Sequence, residues 1–403
     1  MKNTVAAIDF GTSKIVTVIA ASNSVSRFDI IGSGRVPYGG FCNGYWKDDD
    51  DLLIDEIHDS ITAAETDSKT SIDEIYVGIP GEYIHVLTKE AEVDISSENK
   101  RVTQEDIDAV MDAAADLCNL ADLDDCVVLH RSYAYLSVDG GKSTMEWANL
   151  KGSRLKALVT FITADLNFVE AACELFNDLH ISIAGFLSPL MGQMLRLIDE
   201  EERDRGAILI DSGHLNTEIS LIRGDAVVQH AVLPLGVSNI TRDLSYTFNI
   251  SYVLAEQLKR GYMFIPDEFE DEVDPQVYDE SGSRISFPRD AVKRCVDATM
   301  NDLIDMIEGT LEEWEKFVKP RTTVYLTGGG IPMLRGGKEY LSQRLSRTIK
   351  VPVNKGTKLS SPDLSSTAGL IQLIFESIEN TSPQSETLPG KVFGSVKNIL
   401  KKK

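Results

Sequence analysis

The chain has 403 residues, 42% of them hydrophobic, and a formal net charge of -23 at neutral pH. That length implies two lobes or more, the apolar content is enough for real cores, and the acidity argues against general nucleic-acid binding. No apolar run approaches a membrane span, and Met1-Lys2-Asn3 is expected to lead directly into a strand without a signal peptide.

Val5 to Ile8 and Ile15 to Ala20 are apolar, β-branched runs on either side of Asp9-Phe10-Gly11-Thr12-Ser13-Lys14. They predict a hairpin with a polar loop at its tip. Gly11 permits close backbone approach, and Thr12, Ser13 and Lys14 offer donors to phosphate oxygens. Asp9, at the strand end, can hold a Mg²⁺ through water. Taken alone, the hexapeptide fits an ordinary β-turn with a salt-bridged aspartate equally well. Phe28 to Gly32 is a third strand, and Asp48 to Asp51 suit the first turn of a helix over about Leu52 to Thr66, with Leu53, Ile57 and Ile61 at helical spacing. Ile75 to Gly81 is a strand ended by Pro80-Gly81.

Residues 83–162 form a separate module. Thr103, followed by Glu105 and Asp106, caps a helix through Ala115, and strand-like runs follow at Val127–Leu129, Tyr133–Val138 and Leu155–Ile162. Asp165 to Leu179 is helical. Five cysteines (Cys42, Cys118, Cys126, Cys173, Cys295) are odd in number and contain no Cys-x-x-Cys pair, and the six histidines have no ligand spacing. Reduced thiols in a cytoplasmic protein are expected, and a metal site is not.

The second half repeats the first. Ala207 to Ile210 precedes Asp211-Ser212-Gly213-His214-Leu215-Asn216-Thr217-Glu218, and Ile219 to Ile222 follows, again strand, Asp-x-Gly loop, strand. Two α/β lobes facing a cleft are expected. A strand from Arg321 to Leu326 leads to Gly328-Gly329-Gly330, which allows backbone contact with a bulky ligand such as an adenosine. Asp267 to Glu280 is rich in carboxylates and reads as a solvated loop. Glu379 to Gly390 is a flexible linker by composition. Beyond it, Val392, Phe393, Val396, Ile399 and Leu400 share one helical face, with lysines including Lys401, Lys402 and Lys403 and no acid. That pattern suits the surface of an anionic bilayer.

The loops at Asp9–Lys14, Asp211–Asn216 and Gly328–Gly330 resemble the phosphate-1, phosphate-2 and adenosine motifs of the actin, Hsp70 and sugar-kinase superfamily. Within it the chain resembles the FtsA family of bacterial division proteins. Leu235-Gly236-Val237, Ile240-Thr241-Arg242-Asp243, Ala255-Glu256-Gln257-Leu258-Lys259 and Ser361-Pro362-Asp363-Leu364 to Ala368-Gly369-Leu370 stand in the family's order, and Val102 to Ile107 resembles its inserted subdomain's helix start. The resemblance implies an α/β, two-lobed actin-like (ribonuclease H-like) fold with an inserted subdomain and a C-terminal amphipathic helix. It divides the chain into a first lobe (1–82 and 163–205), the insertion (83–162), a second lobe (206–244 and 321–378), subdomain 2B (245–320), a linker (379–390) and a membrane helix (391–403).

It also implies ATP or ADP with Mg²⁺. Gly11, Thr12, Ser13, Lys14, Asp211, Gly213, His214, Asn216, Gly236, Glu256, Lys259, Gly328, Gly329 and Gly330 would surround the nucleotide, with Asp9 and Asp211 on the metal. Gln193 would orient an attacking water as the equivalent actin helix does, or is a surface glutamine. The implied partners are the FtsZ C-terminal peptide through subdomain 2B, further copies in a filament, anionic lipids and other divisome proteins, at the cytoplasmic face of the membrane at the division site. His214-Leu215-Asn216 stands where the family has glycines and a threonine, so at most slow ATP hydrolysis is expected. The alternatives are a pilus-assembly clamp, a chaperone-like ATPase or a kinase on the same fold.

Overall fold

Residues 4–24, 27–39, 41–42, 45–46, 50–265, 274–353, 359–380 and 392–393 are described by the computed structural model. The β-branched runs flanking Gly11 pair as expected: β1 (Thr4–Phe10) lies antiparallel to β2 (Lys14–Ser24), in register from Thr4↔Ala21 to Phe10↔Ile15. β3 (Arg27–Pro37) extends the meander, and a small hairpin follows, β4 (Phe41–Cys42) with β5 (Tyr45–Trp46). Helix α1 (Asp50–Ser68) buries Leu53, Ile57 and Ile61 at helical spacing, and β6 (Glu74–Gly78) joins the free side of β1 in parallel.

The insertion is a sheet covered by one helix. β7 (Ile84–Asp94) and β8 (Cys126–Val138) flank the central β9 (Arg154–Asp165), all antiparallel. Helix α2 (Gln104–Leu117) opens with a capping box in which the Asp106 carboxylate accepts from Thr103 N at 2.9 Å. Its face, with Ile107, Val110, Met111 and Ala114, packs with Leu136, Leu155, Val159 and Phe161 of the sheet. The runs read separately as Val127–Leu129 and Tyr133–Val138 are one strand. Register shifts at Val128/His130 and Tyr133/Tyr135 reset its alternation and hide its continuity from the sequence.

After α3 (Leu166–Asp178), β10 (Ser182–Leu187) pairs parallel with β6, so the first sheet has the order β10-β6-β1-β2-β3. Helices α4 (Pro189–Leu197) and α5 (Glu200–Arg205) lead to the second lobe. There β11 (Ala207–Ser212), β12 (Thr217–Arg223) and β13 (Ala226–Leu233) form another meander, followed by α6 (Ser238–Phe248), α7 (Tyr252–Gly261), the hairpin β14 (Gln276–Tyr278)–β15 (Arg284–Ser286) and α8 (Arg289–Glu313). With β16 (Thr323–Thr327), α9 (Gly337–Leu345) and β17 (Ile349–Lys350), the second sheet is ordered β13-β12-β11-β16-β17. Meander on one side and parallel strands on the other, it repeats the first sheet strand for strand. Residues 266–273 of the acidic stretch lie outside the described residues.

Helix α10 (Ser365–Asn380) returns to the first lobe, where Ala368, Leu370, Ile371 and Ile374 join its core. It crosses α4 at two glycines: a Cβ on Gly192 would sit 2.2 Å from the Gly369 carbonyl oxygen. Only glycine at both positions lets the backbones touch. Among the described residues no helix is long and apolar enough to cross a membrane. Of the C-terminal segment expected to be helical, Val392–Phe393 forms a two-residue strand, β18, antiparallel to β8 at Arg131 and His130; Val396, Ile399, Leu400 and Lys401 to Lys403 lie outside the described residues.

Candidate nucleotide site

Because the two sheets share one plan, their first hairpin loops face each other across the cleft. A cavity of about 820 Å³ lies between them, of the size that holds a drug-sized ligand. It brings together Asp9, the loop Gly11 to Lys14, Gln193, Asp211, Gly213, His214, Asn216, Glu256, Lys259 and Gly328 to Gly330, almost the whole set expected from sequence. Gly236 does not line it; it sits behind the second loop, against the His214 carbonyl.

The two loops touch, as Leu215 N donates to Thr12 Oγ1 at 3.2 Å. Each is rigid: Gly11 N donates to Lys14 O and Gly213 N to Asn216 O, both at 2.9 Å, and α6 pins the second loop through Ser238 N to His214 O at 2.9 Å. His214 therefore holds its place by backbone bonds despite its bulk, and burial, then Lys259, keeps its imidazole below the ordinary pKa. The triple glycine serves the protein before any ligand. Gly328 has φ +96°, and a Cβ there would meet Asp211 Oδ1 at 2.2 Å. Gly330 N donates to Ser212 O at 2.6 Å, which stacks the loop on the end of β11.

The floor is acidic. Asp9 accepts from the hydroxyls of Ser366 and, at 2.8 Å, Thr367, at the start of α10. Burial still raises its pKa. Asp211 is pushed up to about 6, chiefly by burial, although Gln193 Nε2 donates to it at 2.5 Å. Gln193 also donates to Ser365 Oγ at 3.0 Å and is 2% exposed, so it is a buried member of the site rather than a surface glutamine. Sequence reasoning missed Glu218 on β12. Burial, then the charges of Asp211, Glu82 and Asp9, push it up to about 8, while Gly81 N donates to it across the cleft. Its signal was an acid set among the apolar residues of a strand. Carboxylates crowded together and desolvated are a donor set for a hard divalent cation, whose charge would offset their repulsion.

Lys14, also in the cleft, is not free. Its Nζ donates to Asp363 Oδ2 at 2.6 Å and to Asp363 O at 2.7 Å, and Arg35 approaches the same carboxylate at 3.1 Å. Although burial pushes the Asp363 carboxyl up, the Lys14 hydrogen bond holds it below its usual range. At the opposite end, Glu256 accepts from Lys259 Nζ, Thr241 Oγ1 and Arg260 Nε, each at 2.7 Å, beside the half-exposed Met333 and Tyr252.

Residues 208–369 match the family model described as "Cell division protein FtsA". The chain is 24% identical over 382 residues to the cell division protein FtsA of Borreliella burgdorferi, covering 92% of this chain and 90% of that protein. In sequence the chain is thus similar to FtsA proteins over nearly its whole length. Its fold is actin-like. The structure of a PilM-PilN type IV pilus biogenesis complex superposes with a TM-score of 0.63 at 16% identity, covering 92% of this chain and 98% of that one. MreB5 of Spiroplasma citri bound to ADP superposes with 0.55 at 11% identity, over 94% and 99%. The likeness is thus to cell-division proteins in sequence and to actin-like structures in fold.

Proposed function

We propose that the chain binds Mg-ATP or Mg-ADP between its lobes, assembles into filaments and tethers FtsZ to the cytoplasmic face of the membrane at the division site. The observation that carries this reading is the cavity itself, where glycine loops of both lobes converge on the buried acids Asp9, Asp211 and Glu218. Gly11 to Lys14, Gly213, His214 and Asn216 hold the phosphates, Gly328 to Gly330, Glu256 and Lys259 the nucleoside, and Asp9 and Asp211 the metal. Mg²⁺ would supply charge neutralisation between carboxylates and phosphates. Gln193, fixed by Asp211 and Ser365, positions a water toward the phosphates. Turnover is slow, since the side chains of His214 and Asn216 stand where smaller residues would leave the amides open.

Tyr246 (90% exposed) and Val253 (64%) give the region proposed as subdomain 2B an apolar surface for the FtsZ C-terminal peptide and other divisome proteins. The membrane contact rests on residues 391–403, with five lysines and no acid in an otherwise acidic chain. Such a short segment binds weakly alone, and the filament multiplies it. Calorimetric titration with ATP and ADP, with and without Mg²⁺, tests the reading at its centre: heat of binding that requires Mg²⁺ supports it, and well-folded protein that binds neither nucleotide removes it.

A further inference from the structure

The register of the inserted sheet puts a cysteine, a histidine and an aspartate on one face. Cys126, at the start of β8, is directly opposite Asp165, at the end of β9. His85, on β7, is opposite Thr163, two residues before Asp165 and so on the same side of β9. His85 Nε2 is 2.8 Å from Asp165 Oδ1, and the imidazole nitrogen, the Cys126 sulfur and the carboxylate oxygen all lie within 4.8 Å of one another. These positions are 41 and 39 residues apart in the chain, which is why no ligand spacing is visible in the sequence.

We propose that His85, Cys126 and Asp165 form a binding site for a borderline-soft divalent cation such as Zn²⁺. One nitrogen, one sulfur and one oxygen ligand are the donor types that Zn²⁺ selects, at about 2.0–2.3 Å from the metal. Ligand atoms around such an ion stand roughly 3–4 Å apart, so the trio must draw in by about an ångström. The site can do this: the His85 side chain is 52% exposed and that of Asp165 35%, which leaves room for small rotations. On binding, the Cys126 thiol releases its proton to solvent, His85 ligates as neutral imidazole and Asp165 as carboxylate. Water can fill the fourth position. The cleft acids Asp9, Asp211 and Glu218 offer carboxylate oxygens and no sulfur, so the two cation sites differ in chemistry.

The three ligands come from three adjacent strands and from the residue that precedes α3. A metal there ties the base of the inserted sheet to the helix that returns to the first lobe. Cobalt(II) is the probe, titrated into the full chain kept reduced with a phosphine. A 1:1 complex with near-ultraviolet sulfur-to-cobalt charge transfer and intense visible bands is expected, and Zn²⁺ should bleach both. Cys126→Ser should lose the charge-transfer band, and the exposed His85→Ala should weaken cobalt binding at least about tenfold. Cys118→Ser and Cys295→Ser should leave the band intact. Absence of the band in the parent, or its persistence in a folded Cys126→Ser or an unchanged affinity in His85→Ala, would overturn the proposal. Octahedral oxygen-only spectra would place the cobalt at the cleft acids instead and would also overturn it.

Discussion

Glu218 gives the cleft a measurable pH dependence. Its carboxyl is pushed from an ordinary 4.5 up to about 8 by burial and by Asp211, Glu82 and Asp9. The folded chain therefore holds this proton more tightly than the unfolded chain does. The stability it contributes is fully present below about pH 4.5 and is lost as pH rises through 8. A displacement of that size corresponds to on the order of 4–5 kcal/mol, and to about 2–4 kcal/mol once solvent screening and the shared titration with Asp211 are discounted. The side chain's 23% exposure is the reason for that discount. Glu218→Gln keeps an oxygen for Gly81 N and removes the charge. At about 2 °C or less per kcal/mol for a chain of this length, the variant should melt above the parent at pH 9, by at most about 4–8 °C, and level with it near pH 5. Thermal melting monitored by circular dichroism at half-unit intervals provides the test. Parallel curves for parent and variant across pH 5–9 would refute the burial argument. Added Mg²⁺ should shift the parent's transition to lower pH, because a bound cation favours the carboxylate.

Lys14 is held by Asp363, so a phosphate must draw it away. Asp363→Asn should tighten ATP binding by about 1–2 kcal/mol, roughly 5–30-fold, by calorimetry; weaker binding would mean that Asp363 orients Lys14 for the ligand. Replacing His214-Leu215-Asn216 with Gly-Gly-Thr should raise phosphate release measurably over the parent. A parent that already turns over at about 1 per second or faster would show the loop to be no obstacle. Phe393→Glu should abolish sedimentation with anionic vesicles while leaving nucleotide binding intact, and Gln in place of Lys401 to Lys403 should weaken sedimentation mainly at low salt. Vesicle binding by Phe393→Glu equal to the parent's would remove residues 391–403 as the anchor.

Local signals carried what is local. The two hairpins were legible because β-branched runs bracket polar loops with glycine, and the Thr103 cap because Asp106 follows it at the required spacing. The continuity of β8 was hidden by its two irregularities, each of which flips the alternation that marks a strand. In the site, residues on the loops themselves were found and their partners were not. Ser366 and Thr367 meet Asp9 from 357 and 358 positions away, and Asp363 meets Lys14 from 349. Nothing in the composition of either segment announces such a meeting; it exists only because α10 returns to the first lobe. Glu218 was visible as a letter but not as a site, since its meaning comes from the burial around it.

The crossing of α4 and α10 at Gly192 and Gly369 has a mechanical consequence. Two backbones in direct contact leave no side chain to bend, so α4 and α10, which share one core, are fixed to each other at this point. Gln193 lies next to it on one helix, and Ser365 to Thr367 lie one turn before it on the other. Any opening of the cleft therefore carries Gln193 and the hydroxyls on Asp9 together, as parts of one unit. The spacing between these groups is then set by a pair of glycines and not by where the outer loops stand.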